Sequence, residues 1–203
     1  SKTEDDRNPS CSSICWNEHY SKATMVGCVL SLSIQLTGVN AMMFYSNTIF
    51  RDLEIRSVDI TAAIGIVNFG STLICLVNLF YFGRRTLIIG GYIGMTLMLT
   101  LLSSFCYLGS TIGIVASVML FIFFFANSAS TVVWLYNAEI MRDKAVALST
   151  TIYWIGGLII SLSVPYIYTS SSVEILFLLF ACLTFANLIF IIVFLQETKE
   201  KTQ

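Results

Sequence analysis

The sequence is short of charge. Only 11% of its 203 residues are Asp, Glu, Lys or Arg, where a soluble domain carries about 25%. With a mean hydropathy of +0.81, that deficit excludes an ordinary water-soluble fold and implies an integral membrane protein. The net charge of −1 supplies no basic patch for a phosphate backbone, so no nucleic-acid partner is expected. Histidine is nearly missing too. The single one, His19, lies in the polar N-terminal stretch, so no Ser/His/Asp or Cys/His constellation can form within the membrane. HExxH and P-loop patterns are absent. No long apolar run carries an Asp or Glu at mid-depth, which removes an obvious proton relay. A channel finds no ring of charges to support it. Together these gaps argue against an enzyme.

The cysteines do not form a metal or disulfide pattern. Cys11, Cys15 and His19 are spaced by four and would share a helix face, but a fourth ligand is missing and the paired knuckles of a structural zinc site are not there. No metal and no cofactor is expected. Cys28, Cys75, Cys106 and Cys182 stand singly inside apolar runs and read as packing residues.

What the sequence has is long uncharged runs. Residues 23–50, 60–83, 145–173 and 175–196 are each free of charge, and 86–138 is a run of 53 such residues. That last run is too long for one crossing and suits two, with Leu108-Gly109-Ser110-Thr111 as the turn. The expected fold is all-α, with six transmembrane helices at about 23–50, 60–82, 86–108, 111–137, 145–169 and 174–195. Residues 1–22 form a polar linker or tail and 197–203 a second tail. None of the runs shows the alternation of a membrane barrel. Nine Lys or Arg fall on one side of this topology, against Arg51 and Arg56 on the other. Both termini are therefore expected in the cytoplasm. The chain opens on Ser, not Met, without a signal-peptide pattern, so it is expected to be a processed product or a piece of something longer.

The first run is polar at its centre. Gln35, Thr37, Gly38 and Asn40 lie within six residues. Amides at bilayer depth are costly unless they face protein or water. They mark either interhelical packing or a polar pathway, and Gly38 invites a helix break of the kind transporters use at the midplane. Asn68 lies near mid-depth of the second run and needs a polar partner or water. Gly90-Gly91-Tyr92-Ile93-Gly94 is a face for close helix packing. In the fourth run, small and polar residues 127–131 precede Trp134, which either lines a cavity or sits at the membrane edge. Arg84 and Arg85 are at least positive-inside anchors.

Four stretches together resemble one family. Gln35-Leu36-Thr37-Gly38-Val39-Asn40, followed by Phe44-Tyr45-Ser46, is similar to the QLSGIN…YYS signature of the seventh helix of sugar porters in the major facilitator superfamily. Gly83-Arg84-Arg85-Thr86-Leu87 resembles their GRR turn, Trp134-Leu135-Tyr136-Asn137-Ala138-Glu139 their W-x-x-x-x-E segment, and Glu197-Thr198-Lys199 their PETKG tail. Order and spacing agree over roughly residues 22–201, the C-terminal six of twelve helices in a hexose facilitator. The resemblance implies alternating-access transport of a hexose or related sugar. Gln35, Asn40 and Asn68 would bind hydroxyls, Trp134 would form an aromatic wall and Tyr45 part of the outer gate. Arg84, Arg85, Glu139 and Arg142 would form a cytoplasmic ion-pair network. An N-terminal six-helix half or a second copy is the implied partner, alongside the bilayer, and the plasma membrane the implied location.

The chain also departs from the family. Ile34 replaces a first glutamine, Ala126 a glutamate, and Gly157 an asparagine; residues 127–133 contain no Gly or Pro; Phe80-Tyr81 replaces an acidic-basic pair; and the loop after Glu139 is about four residues short. These losses raise the alternative of a non-transporting sugar sensor or a degenerate half-transporter.

Overall fold

The computed structural model describes residues 18–43, 57–170 and 172–197. The described residues are helical with short connections. The helices are α1 (Glu18–Leu36), α2 (Ser57–Tyr81), α3 (Arg84–Leu108), α4 (Thr111–Asn127), α5 (Val132–Ile140), α6 (Asp143–Ser170) and α7 (Val173–Phe194). After a two-residue turn at Thr37-Gly38, helix resumes over 39–43. Six stretches are long and apolar enough to cross a bilayer: Ser21–Met43, Ala62–Tyr81, Arg84–Leu108, Thr111–Ile140, Asp143–Ser170 and Val173–Phe194. The all-α, six-crossing architecture expected from the charge-free runs is present.

Helix α3 occupies the centre, packed most closely against α7 and α4; α1 pairs with α6, and α2 leans on α4. The core holds Tyr92, Met95 and Leu99 of α3, Phe121 of α4, and Phe177 and Phe180 of α7. In lipid, such packing is driven by close contact rather than by escape from water, so the small residues decide where helices touch. Gly91 and Gly94 are where α3 meets α4. A Cβ on Gly91 would strike Ser128, and one on Gly94 would strike the Phe124 ring, whereas Gly90 faces open space. The outer faces of α2 and α6 carry Ile66, Phe69, Leu73, Val77, Leu158, Ile159 and Leu162, all exposed, as lipid-facing surfaces are. On α2 the covered positions recur as Ile64, Ser71 and Cys75, a narrow stripe at helical spacing.

The chain reverses between α3 and α4 at Gly109, whose φ is +66°, a conformation glycine adopts without steric penalty. Its N–H reaches back to the last carbonyls of α3. Helix α6 runs through Pro165 without interruption.

Two of the six crossings are broken. The first breaks at Thr37-Gly38. The hydroxyls of Ser33 and Thr37 donate to the carbonyls of Leu30 and Ile34, both at 2.7 Å, a back-bonding that bends helices. Gly38 then takes φ +76°. Its N–H bonds the Gln35 carbonyl at 3.1 Å, and its own carbonyl accepts from Met42 N at 2.9 Å. The fourth crossing breaks at 128–131, between α4 and α5. The sequence sets one crossing at about 111–137, with small residues at 127–131 that let a helix bend, and the structure interrupts the helix there. The hydroxyls of Ser128 and Thr131 bond the carbonyls of Phe124 (2.8 Å) and Ala126 (3.4 Å), and Gly91 on the neighbouring helix leaves room for Ser128.

Candidate functional site

Gln35 and Asn40 lie on either side of the first break, and the break folds them together. Asn40 Nδ2 donates to Gln35 Oε1 at 2.6 Å. Gln35 is buried and Asn40 half-buried. The Gln35 amide nitrogen and the Asn40 carbonyl oxygen have no hydrogen-bond partner among the described residues. The pair is therefore one donor group and one acceptor group, internally cross-linked and with capacity left over.

Helix α6 can come this close to α1 because it carries two glycines. Gly156 packs on Leu32 of α1, and a Cβ on Gly157 would lie 2.8 Å from Gln35 Nε2. The Gln35 amide thus occupies the space that a side chain at 157 would otherwise fill. Behind Gly38 stands Phe180 of α7, whose ring would be 2.5 Å from an added Cβ. The break is walled on that side by packed aromatic surface.

Trp134, half-buried on α5, meets Tyr153 of α6 edge-to-face with ring centroids 5.2 Å apart, a favoured aromatic geometry. Tyr153 in turn contacts Trp154 at 5.3 Å. Tyr153 is one turn from Gly157 on α6, so the Trp134 ring and the Gln35 amide are held to the same helix face. Asn68 is half-buried on α2, and its side chain makes no hydrogen bond among the described residues. Its helix packs on α4 rather than on α1, so Asn68 is not drawn into the Gln35–Asn40 pair. Tyr45 lies outside the described residues.

The charged end of the bundle gathers the starts of α3 and α6 and the ends of α5 and α7. Arg84 pairs with Glu139, Nη2 to Oε1 at 2.9 Å, with Nε donating at 3.1 Å. The Arg84 backbone N–H donates to Glu197 Oε1 at 3.0 Å. Arg85 departs from the expected ion-pair network. Its guanidinium donates to the Ile192 carbonyl at 3.0 Å, an end-of-helix carbonyl of α7 that needs a donor. Arg142 sits half-buried between α5 and α6, where its carbonyl accepts from Ala145 and Val146 N–H at 2.8 and 2.9 Å.

Three contributors were missed in the sequence. Tyr92 is wholly buried and shares a 2.5 Å hydrogen bond with Ser33, tying α3 to the polar turn of α1. Glu197 accepts from the Arg84 N–H and fills the space that a Cβ on Gly83 would take. Asn137 is wholly buried and donates to Ser31 Oγ at 2.9 Å and to the Gly27 carbonyl at 3.3 Å. The rule that picked out Gln35, an amide inside an uncharged run, applies equally to Asn137.

Comparison with known proteins bears on this arrangement. The family model described as "Sugar (and other) transporter" matches residues 1–203. The chain belongs to this family. A glucose transporter, GlcP of Staphylococcus epidermidis, is 33% identical over 192 residues, which cover 88% of this chain and 42% of that protein. The inward-open structure of the xylose transporter XylE from E. coli superposes with a TM-score of 0.81 at 24% identity, over 94% of this chain and 42% of that one. XylE bound to 6-bromo-6-deoxy-D-glucose, described as a major facilitator superfamily proton:xylose symporter, gives 0.78 at 22% identity, over 87% and 40%. These structural likenesses establish the fold. The chain spans about two-fifths of the length of the curated relatives it matches.

Proposed function

We propose that this chain is the C-terminal six-helix half of a sugar porter and that it carries a hexose or related sugar by alternating access. The observation carrying this reading is the Gln35–Asn40 pair. It is a neutral, partly unsatisfied amide couple at a helix break, packed on α6 one turn from the Trp134–Tyr153 contact, in a chain of the sugar transporter family. A sugar hydroxyl both donates and accepts, and so does an amide. A neutral site suits a neutral solute, because no charge needs desolvation when the solute enters or leaves. Broken helices at a central site are the architecture that transporters share.

Gln35, Asn40 and Asn68 would take hydroxyls, Trp134 would face the ring and Tyr45 would belong to the outer gate. For Asn68 to act with the other two, the solute must bridge α1 and α2. The Arg84–Glu139 pair, with Arg142 and Glu197 nearby, would hold the cytoplasmic end of the bundle in one state, and Arg85 would anchor the end of α7. The partner is an N-terminal six-helix half or a second copy, with both termini in the cytoplasm and the plasma membrane as the location.

The test is uptake of radiolabelled hexoses by cells lacking hexose transport that express the complete reading frame containing this chain. Saturable uptake competed by unlabelled sugar is the expected result. A correctly inserted protein with no uptake of any hexose, pentose or polyol would overturn the reading. Binding without flux would instead favour a sensor, as the losses at Ile34, Ala126 and Gly157 suggest.

A further inference from the structure

We propose that Asn137 is a positioning residue for the sugar site, holding Trp134 at a set distance from the Gln35–Asn40 pair. The claim rests on the proposed sugar-binding role of those residues. Its geometric part stands by itself.

The argument starts from α5. This helix has nine residues, Val132–Ile140, too few to be stable alone. The turn at 128–131 interrupts the helix but stays hydrogen-bonded, Val132 N to Ser128 O at 2.9 Å and Leu135 N to Thr131 O at 3.2 Å. It aims α5, and lateral contacts then fix where α5 rests: Glu139 on Arg84 and Tyr136 Oη under Gln196 N at one end, Trp134 and Asn137 on the side facing α6 and α1. Three helices meet around it within about one helical turn. Gln35 on α1 touches Gly157 on α6. Trp134 on α5 touches Tyr153, one turn from Gly157 on α6. The third side is Asn137 on α5 against Ser31 on α1, at 2.9 Å. Asn137 is three residues from Trp134 and Ser31 is four from Gln35, so each shares a helix face with the binding residue on its own helix. Neither of two sides of the triangle is a hydrogen bond: the Gln35 amide lies against Gly157, and two rings meet edge-to-face. The third is a directional double donation, to Ser31 Oγ and the Gly27 carbonyl.

The chemistry of Asn137 is unusual for a packing residue. It is fully buried, both N–H bonds are used, and its Oδ1 has no hydrogen-bond partner. That oxygen rests over Gly27, 3.2 Å from where a Cβ would be, a place for a weak Cα–H contact only. An apolar side chain of the same shape would fill the space without stranding an acceptor. The amide is therefore a poor choice for cohesion and a good one for registering α5 against α1.

The experiment uses the protein of the complete reading frame in lipid nanodiscs, with every tryptophan except Trp134 replaced by Phe, including Trp16→Phe and Trp154→Phe in this chain. Asn137→Leu is compared with its parent by acrylamide quenching of Trp134 and by glucose titration of the same emission. Ser31→Ala, which deletes only the acceptor, serves as a milder variant should the leucine protein not fold. The expected result is a several-fold rise in quenching without sugar, together with glucose binding weakened about five- to tenfold, the size of one interhelical hydrogen bond. The double variant should be no worse than Asn137→Leu alone, because the bond deleted by Ser31→Ala is one of the two that Asn137→Leu already removes. Unchanged quenching in both single variants would overturn the proposal, whatever the sugar does. So would increased quenching with parental glucose affinity. Increased quenching in a parent that binds no sugar would sustain Asn137 as the register of α5 and defeat the sugar reading instead.

Discussion

The two helix breaks differ in what they leave unpaired. At 37–38 the chain uses a glycine with φ +76°, and beside it stand an amide nitrogen and an amide oxygen without protein partners among the described residues. At 128–131 it uses no glycine, and the polar groups close on one another. Ser128 and Thr131 bond α4 carbonyls. Asn127 Nδ2 donates to Phe123 O at 3.2 Å, while its Oδ1 accepts from Asn78 at 3.2 Å. Even its backbone carbonyl takes the Cys75 thiol at 3.4 Å. A break can therefore be a binding surface or a sealed joint, and counting spare donors and acceptors separates the two. The first has capacity for a ligand. The second has used nearly all of its own, leaving the Asn78 amide oxygen without a partner among the described residues, and serves to re-aim α5.

The sharpest way to break this contrast is Gly38→Ala. A Cβ there meets both a left-handed backbone and the buried Phe180 ring, for a combined cost of roughly 2–5 kcal/mol. Thermal unfolding in detergent should show a large loss of stability, and a shift below 1 kcal/mol would mean that the first break is not held as described. Gln35→Leu comes next. It should leave folding nearly intact but weaken sugar binding by roughly ten- to a hundredfold, about 1.5–3 kcal/mol, since both Asn40 and the solute lose a partner; isothermal titration reads this directly.

Asn127→Ala probes the sealed joint. It should cost about 1 kcal/mol of stability, the range of interhelical polar pairs in membranes, with sugar affinity unchanged within about twofold by the same titration. Smallest is the charged end. Glu139→Gln removes the Arg84 pair, whose side chains are 18% and 21% exposed. The expected loss is about 0.2–1 kcal/mol at low ionic strength. Unfolding measured in 1 M salt should show a smaller difference, since charges there are screened beyond about 3 Å.

The crossings were legible because lipid imposes a strong rule: a helix must stay uncharged for the full depth of the bilayer. The first break was legible for a local reason, a glycine among amides. The second was legible only as a stretch of small residues that lets a helix bend; what seats it lies elsewhere in the chain. Ser128 can turn there only because Gly91, on another helix, leaves space. The same holds for Arg85, which sequence alone groups with the ion pairs but which the fold sets against the Ile192 carbonyl. Trp134 could be nominated by its segment, yet its partner Tyr153 and its brace Asn137 are known only once α5 and α6 are placed. Side chains that answer to the solvent can be read one helix at a time; those that answer to a neighbour cannot.

The central claim is that the spare hydrogen-bonding capacity beside Gly38 receives sugar. The most direct measurement is glucose-dependent quenching of Trp134 in two paired variants, Gln35→Leu with Asn40→Ala, and Asn78→Ala with Asn127→Ala. The account predicts that saturable quenching disappears in the first pair and persists at near-parental affinity in the second. Equal loss in both, or persistence in the first, would contradict it.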